Sequence, residues 1–150
     1  MNRDIVFVDI DHCISNAFPR DDMIGAEGGW DDYHRASIND APVHDIVDLI
    51  HALAAAKFQI IGITARPAKW RMLTTHWLIK HSIPIHHILM RPDDDYRPAK
   101  EIKISLAVDF FGSEENLRDK LAFIIDDHPE VVEAFAGLGV TALQVFARRS

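Results

Sequence analysis

The stretch VFVDIDHCI, Val6 to Ile14, sets two aspartates one residue apart directly after an apolar, β-branched run. Successive strand residues point to opposite faces, and Ile5 to Val8 are apolar at every position, so the run reads as a strand buried on both sides. Asp9 and Asp11 must then sit where that strand emerges from the core. In open α/β sheets the emerging ends of the strands are where ligands bind.

Working outward, similar short apolar runs recur as FQIIGIT (58–64), HHILM (86–90), LAFIIDD (121–127) and VTALQVF (140–146). They are too uniformly apolar for half-exposed strands and read as central parallel ones. Helical spacing lies between them: Val43, Ile46, Val47, Ile50, Leu53 and Ala54 mark one face, and Trp70, Leu73, Trp77 and Leu78 another. Pro42, Pro67, Pro98 and Pro129 stand near the expected helix starts, where a missing N–H does no harm. The alternation predicts a three-layer, Rossmann-like α/β sandwich with a central five-stranded parallel sheet. Right-handed crossovers then bring the C-terminal ends of the strands to one edge. Residues 15–41, with PRDD and GAEGGWDDYH and little periodicity, read as a loop or small cap inserted after the first strand and lying over that edge.

At 150 residues and 48% apolar the chain fits one domain, residues 1–150, with the cap at about 15–41. No run approaches the roughly 18 apolar residues a membrane span needs, and the start carries no export signal. The single cysteine, Cys13, fits a reducing compartment, so a cytoplasmic protein with no membrane partner is expected. A net charge of −7 argues against a surface that coats extended nucleic acid.

The strand ends collect chemistry. Asp9 and Asp11 follow the first strand, Thr64 and Arg66 the second, and Asp126 and Asp127 the fourth. The third runs into MRPDDDYRPAKEIK (90–103), which brings Arg91, Asp95, Arg97, Lys100 and Lys103 to the same rim. Carboxylates gathered in this way repel one another and call for a divalent cation; Mg2+ suits an all-oxygen site that also receives phosphate. Each group alone has a plainer reading. The aspartates can end a solvated strand or cap a helix, Thr64 and Arg66 can be turn residues, and Arg97 and Lys100 can pair on the surface.

The order of these motifs resembles the haloacid-dehalogenase-like phosphohydrolases: a strand ending in Asp-x-Asp, then Ser/Thr, then Lys, then an acidic pair. The resemblance is closest to the 3'-phosphatase domain of bacteriophage polynucleotide kinase/phosphatase. There an arginine follows the first aspartate by eleven positions, as Arg20 does here. Thr64-Ala65-Arg66 is similar to its Ser-Gly-Arg, and IIDDHPEVVEAF to its Asp-Asp-Arg-x-x-Val-Val. The resemblance implies a hydrolase acting on phosphoric monoesters through an aspartyl-phosphate, with nucleic-acid 3'-phosphate ends as substrate and a nucleotidase or small-metabolite phosphatase as the alternative. It also implies the roles. Asp9 is the nucleophile and Asp11 the general acid, later the base; Thr64 bonds the phosphoryl group and Lys103 neutralises it. Asp9, Asp126, Asp127 and the backbone carbonyl of Asp11 hold the metal. Arg20 and Arg66 grip substrate phosphate, with Arg97 and Lys100 as further substrate contacts, and Trp30 and Tyr33 of the cap are placed to meet a base or sugar.

Elementary chemistry agrees with these roles. A carboxylate attacks phosphorus to give an acyl phosphate that water later cleaves, which splits one hard step into two. A second carboxyl two residues on can protonate the leaving oxygen if its pKa is raised. Four positions depart from the family pattern: His12 and Cys13 stand where Gly-Thr is usual, Ala99 where an acidic residue precedes the lysine by four, and His128 where arginine follows the acidic pair. All four bear on substrate contacts. A receiver-type signalling domain would carry its acidic pair first and its phosphorylated aspartate mid-chain, the reverse of the order here. A cysteine-dependent phosphatase would need five residues and glycines between Cys13 and Arg20, where six and none stand. No phosphate-binding Gly-x-x-x-x-Gly-Lys-Ser/Thr loop is present.

Overall fold

The computed structural model describes residues 2–149. In chain order the strands are β1 (Ile5–Val8), β2 (Ser15–Asn16), β3 (Ala41–Pro42), β4 (Gln59–Pro67), β5 (His87–Arg91), β6 (Leu121–Asp126) and β7 (Ala142–Gln144). Five of them make the all-parallel sheet the sequence predicts, in the order β5-β4-β1-β6-β7; β2 and β3 pair antiparallel by themselves. Period-two alternation decides which layer each side chain enters. Val6 and Val8 pack against α2 (His44–Ala55) and α3 (Arg71–Lys80), whereas Phe7 points the other way into α4 (Ala99–Phe111), α5 (Glu114–Lys120) and α6 (Pro129–Gly137). Each such fully buried side chain contributes about 1.5–3 kcal/mol by leaving water.

The helix termini follow local chemistry. Gly112, at φ 89, ends α4 in the left-handed conformation that glycine adopts without strain. Ser113 caps α5 by accepting from the Asn116 N–H. Pro129 opens α6 behind His128, whose Nδ1 accepts from the Glu130 N–H. His128 is therefore the cap of this helix, in place of the preceding acidic pair.

Residues 15–41 are more ordered than their sequence implies. Two short 3-10 helices, Phe18–Met23 and Ala36–Asn39, flank α1 (Gly29–Arg35), and the β2–β3 pair closes the insert at its base. Elements of two to seven residues are too short to show a hydrophobic period, which is why the segment reads as loop in the sequence. Among the described residues no helix is long and apolar enough to cross a membrane.

Candidate active site

The chain reverses direction across the sheet at β1, since β4 and β5 lie on one side of it and β6 and β7 on the other. The crevice this leaves above β1 and β6 receives Asp9 and Asp126, the residues that follow or end the two strands. The Asp9 N–H continues the ladder by donating to the Ile125 carbonyl at 2.9 Å, which fixes the carboxylate at the edge. One oxygen each from Asp9, Asp126 and Asp127 lies within 4.8 Å of the others. Lys103, buried on α4, reaches between them: its Nζ donates to Asp9 Oδ1 at 2.8 Å and to Asp126 Oδ2 at 2.6 Å. The second Asp126 oxygen accepts from the His128 N–H.

One ammonium does not balance three carboxylates. Burial, and then the Asp126 charge, push the Asp9 carboxyl well above the usual carboxylate range despite Lys103. Burial also raises Asp127. Lys103 moves upward in basicity because Asp126 and Asp9 outweigh the burial that opposes its charge. An all-oxygen, partly buried donor set with surplus negative charge fits a hard divalent cation of the Mg2+ kind.

Asp11 belongs to a second network. Arg66 donates to it through Nε and Nη2, at 3.0 and 2.7 Å, and Arg20 donates through Nη2. Burial would raise this carboxyl, but Arg66 and then Arg20 hold it far below the usual range. The raised pKa expected of a proton donor here is therefore not found in this state, because two guanidiniums stabilise the anion. Arg20 is itself gripped by Asp40, at 2.9, 3.2 and 2.7 Å, donates to the Tyr33 carbonyl, and lies 4.2 Å over the Tyr33 ring. Arg66 also donates to Thr74 Oγ1 at 2.9 Å. Thr64 is buried beside them, its Oγ1 accepting from the Arg66 N–H.

Both networks face a cleft of about 500 Å³. Asp9, Asp11, Thr64, Arg66, Lys103, Asp126 and Asp127 line it, as do Trp30 and Tyr33 from the cap. Arg20, expected on a loop over the site, is instead buried to 3% exposure behind Asp11. Tyr33 is also buried and supports Arg20; of the two aromatics only Trp30, 57% exposed, is open to a ligand. Arg97 and Lys100 do not enter the cleft. They line a neighbouring groove on α4, and Arg97 is tied to Asp95, two residues away. Lys103 lies one turn on and reaches the carboxylates, whereas Lys100 lines the other groove.

Several participants carry no signal in the sequence. Asp40 and Thr74 act through arginines twenty and eight residues before them, and neither lies in a motif. His34, in the cleft wall, stacks on Trp30 at 5.7 Å and 23°. His12 has φ 60, the left-handed conformation that a glycine would adopt more cheaply.

The family model for the polynucleotide kinase PNKP phosphatase domain matches residues 3–148. Two solved structures described as the Pnkp1/Rnl/Hen1 RNA repair complex and the Pnkp1/Rnl/Hen1 complex are similar at TM-scores of 0.78 and 0.77, with 21% and 22% identity. Each match covers 97% of this chain but only 44% and 47% of the other, so the chain spans less than half the length of these relatives. A HAD family enzyme from Bacteroides thetaiotaomicron, solved with magnesium and inorganic phosphate, is similar at a TM-score of 0.59 and 12% identity, over 99% of this chain and 97% of that one. No curated protein matches.

Proposed function

The chain belongs to the polynucleotide kinase PNKP phosphatase domain family, and from that premise we propose that it is a magnesium-dependent phosphomonoesterase acting through an aspartyl-phosphate on nucleic-acid 3'-phosphate ends. Residues 1–150 then work as one phosphatase domain, with the cap at about 15–41. The observation that carries this reading is the seating of Lys103 between Asp9 and Asp126 at the cleft floor, with Asp127 beside them.

In this reading an Asp9 oxygen attacks phosphorus, the bond from phosphorus to the ester oxygen breaks, and Asp11 gives that oxygen its proton. Water then attacks the acyl phosphate and yields its proton to Asp11, which releases inorganic phosphate and restores Asp9. Lys103 and the Thr64 hydroxyl offset and orient the phosphoryl oxygens. Asp11 can take up a proton only when Arg20 and Arg66 turn some of their donors from it to the substrate phosphate, the role expected of them. Asp9, Asp126, Asp127 and the Asp11 carbonyl are the groups that would hold Mg2+, which when bound offsets charge on the phosphoryl oxygens.

The RNA repair complexes that contain similar chains support a nucleic-acid end as substrate. The cleft volume of about 500 Å³, within the range that holds one small ligand, favours the second reading, a nucleotidase or small-metabolite phosphatase. Phosphate release from a 3'-phosphorylated oligonucleotide, a nucleoside monophosphate and an aryl phosphate, each with Mg2+ and with excess chelator, separates the two. Release should require the metal and be fastest on the oligonucleotide. The Asp9→Asn protein, folded, should fall to background on all three, because an amide is too poor a nucleophile; near-normal turnover by it would overturn the mechanism.

A further inference from the structure

Two arginines and one lysine line the cleft. Lys103 is committed to Asp9 and Asp126, and Arg66 to Asp11. Arg91, the last residue of β5, differs. Its Nε donates to the Ala65 carbonyl at 2.8 Å and its Nη1 to the carbonyls of Asp95 and Arg97 at 2.8 and 2.6 Å. Among the described residues no carboxylate bonds it, since both Asp95 oxygens are taken by Arg97. Burial lowers its basicity, whereas Arg20 and Arg97, with carboxylate partners, move upward. Three neutral carbonyls thus hold the guanidinium through Nε and Nη1, and Nη2 donates to nothing among the described residues. A cation oriented by neutral acceptors keeps its charge for an outside anion, with little side-chain entropy left to lose on binding.

Tyr96 lines the cleft beside it at 87% exposure, with its ring open to solvent. Such a ring offers a face on which a base can stack. In the sheet order β5 lies two strands from β1, roughly 10 Å at ordinary strand spacing, which a single strand of nucleic acid covers in one or two nucleotides.

We propose that Arg91 and Tyr96 form a second subsite of the cleft, which takes the phosphodiester and base next to the 3'-terminal nucleotide and so selects an oligonucleotide end over a mononucleotide. The inference rests on the phosphatase reading and names the part of the substrate that reading leaves open. It also assigns a cation of the rim that differs from Arg97 and Lys100, which face the other groove.

The test uses three substrates with Mg2+: a dinucleotide bearing a 3'-phosphate, the same dinucleotide with a neutral methylphosphonate linkage, and a nucleoside 3'-monophosphate. A charge-assisted hydrogen bond predicts that wild-type kcat/KM falls on the order of tenfold or more when the linkage is neutralised or removed. The Arg91→Gln protein should no longer distinguish the charged from the neutral linkage. Tyr96→Ala, which removes no intramolecular hydrogen bond, should lose about fivefold or more on the dinucleotide relative to the monophosphate. Equal wild-type kcat/KM on charged and neutral linkages would overturn the subsite and leave Arg91 a clamp for the turn after β5, as would an Arg91→Gln loss that is the same on all three substrates. An aryl phosphate is included as control. If it is cleaved while the linkage charge has no effect, only the subsite falls; if nothing is cleaved, the phosphatase reading falls and the subsite with it.

Discussion

Asp9 and Asp11 are chemically identical, lie two residues apart, and are driven in opposite directions. Burial and the Asp126 charge raise Asp9, whereas Arg66 and Arg20 hold Asp11 down. The first is placed among acids, where it awaits a cation's charge, and the second among bases. His34 shows the same sensitivity to surroundings. Burial, with Arg66 and Arg20 against it and Asp11 and Asp31 in its favour, brings its pKa down from 6.5 to about 4. The unfolded chain therefore takes up this proton near pH 6.5 and the folded chain only near pH 4, so the unfolded state binds more protons between the two. Stability should fall as pH drops through that window, by about 3 kcal/mol from this residue. Urea unfolding of wild type and His34→Phe from pH 7 to 4.5 checks it: the variant, which keeps an aromatic ring against Trp30, should lose that part of the slope. Identical slopes would show that His34 does not stay neutral.

The cap insert works through one buried side chain. Arg20 joins Asp40 at the end of the insert to Asp11 at the end of β1, and its ring contact with Tyr33 ties α1 to the same point. Removing it would leave buried Asp40 without its cation and Asp11 with Arg66 alone, a loss on the order of 3–5 kcal/mol. Arg20→Ala should therefore lower the melting temperature and reduce turnover on an aryl phosphate as much as on an oligonucleotide. That differs from what an exposed loop arginine would do, which is to weaken large substrates alone. Trp30→Ala should behave in the second way, since its ring is over half exposed: little change in melting temperature, and a fall in kcat/KM on the oligonucleotide alone. Thermal unfolding together with kinetics on the two substrates distinguishes the elements' roles.

At the scale of the whole molecule, the sheet edge gathers negative charge onto a chain that already carries −7. A cation bound only by the folded state stabilises it by mass action, about 2.7 kcal/mol at a hundredfold excess over Kd. For a chain of this length that corresponds to a melting temperature higher by roughly 5–10 °C. Thermal unfolding in Mg2+ and in chelator should show this rise for wild type and lose most of it in Asp127→Asn, which removes a candidate ligand from the edge of the cluster. A rise of equal size in the variant would place the cation elsewhere.

The sequence by itself determined the layers of this protein, the parallel sheet, and the residues that meet at its edge. Uniformly apolar runs have few places to go except between two layers, and a right-handed crossover leaves their ends on one side, so Asp9, Asp11, Thr64, Arg66, Asp126 and Asp127 could be placed together from spacing alone. Only the tertiary structure decided who partners whom. Asp40 and Thr74 lie in no motif, the backbone carbonyls that hold Arg91 leave no mark in the sequence, and Arg20 and Tyr33 read as surface because two- to seven-residue elements show no period. The separation of Lys103 from Lys100 was decided in the same way. Both are on α4 one turn apart, and only the packing of that helix against the sheet turns the first toward the carboxylates and the second to another groove. Hydrophobic pattern is a property of the chain in order; an ion pair depends on positions in space, which the chain order leaves open until the fold has closed.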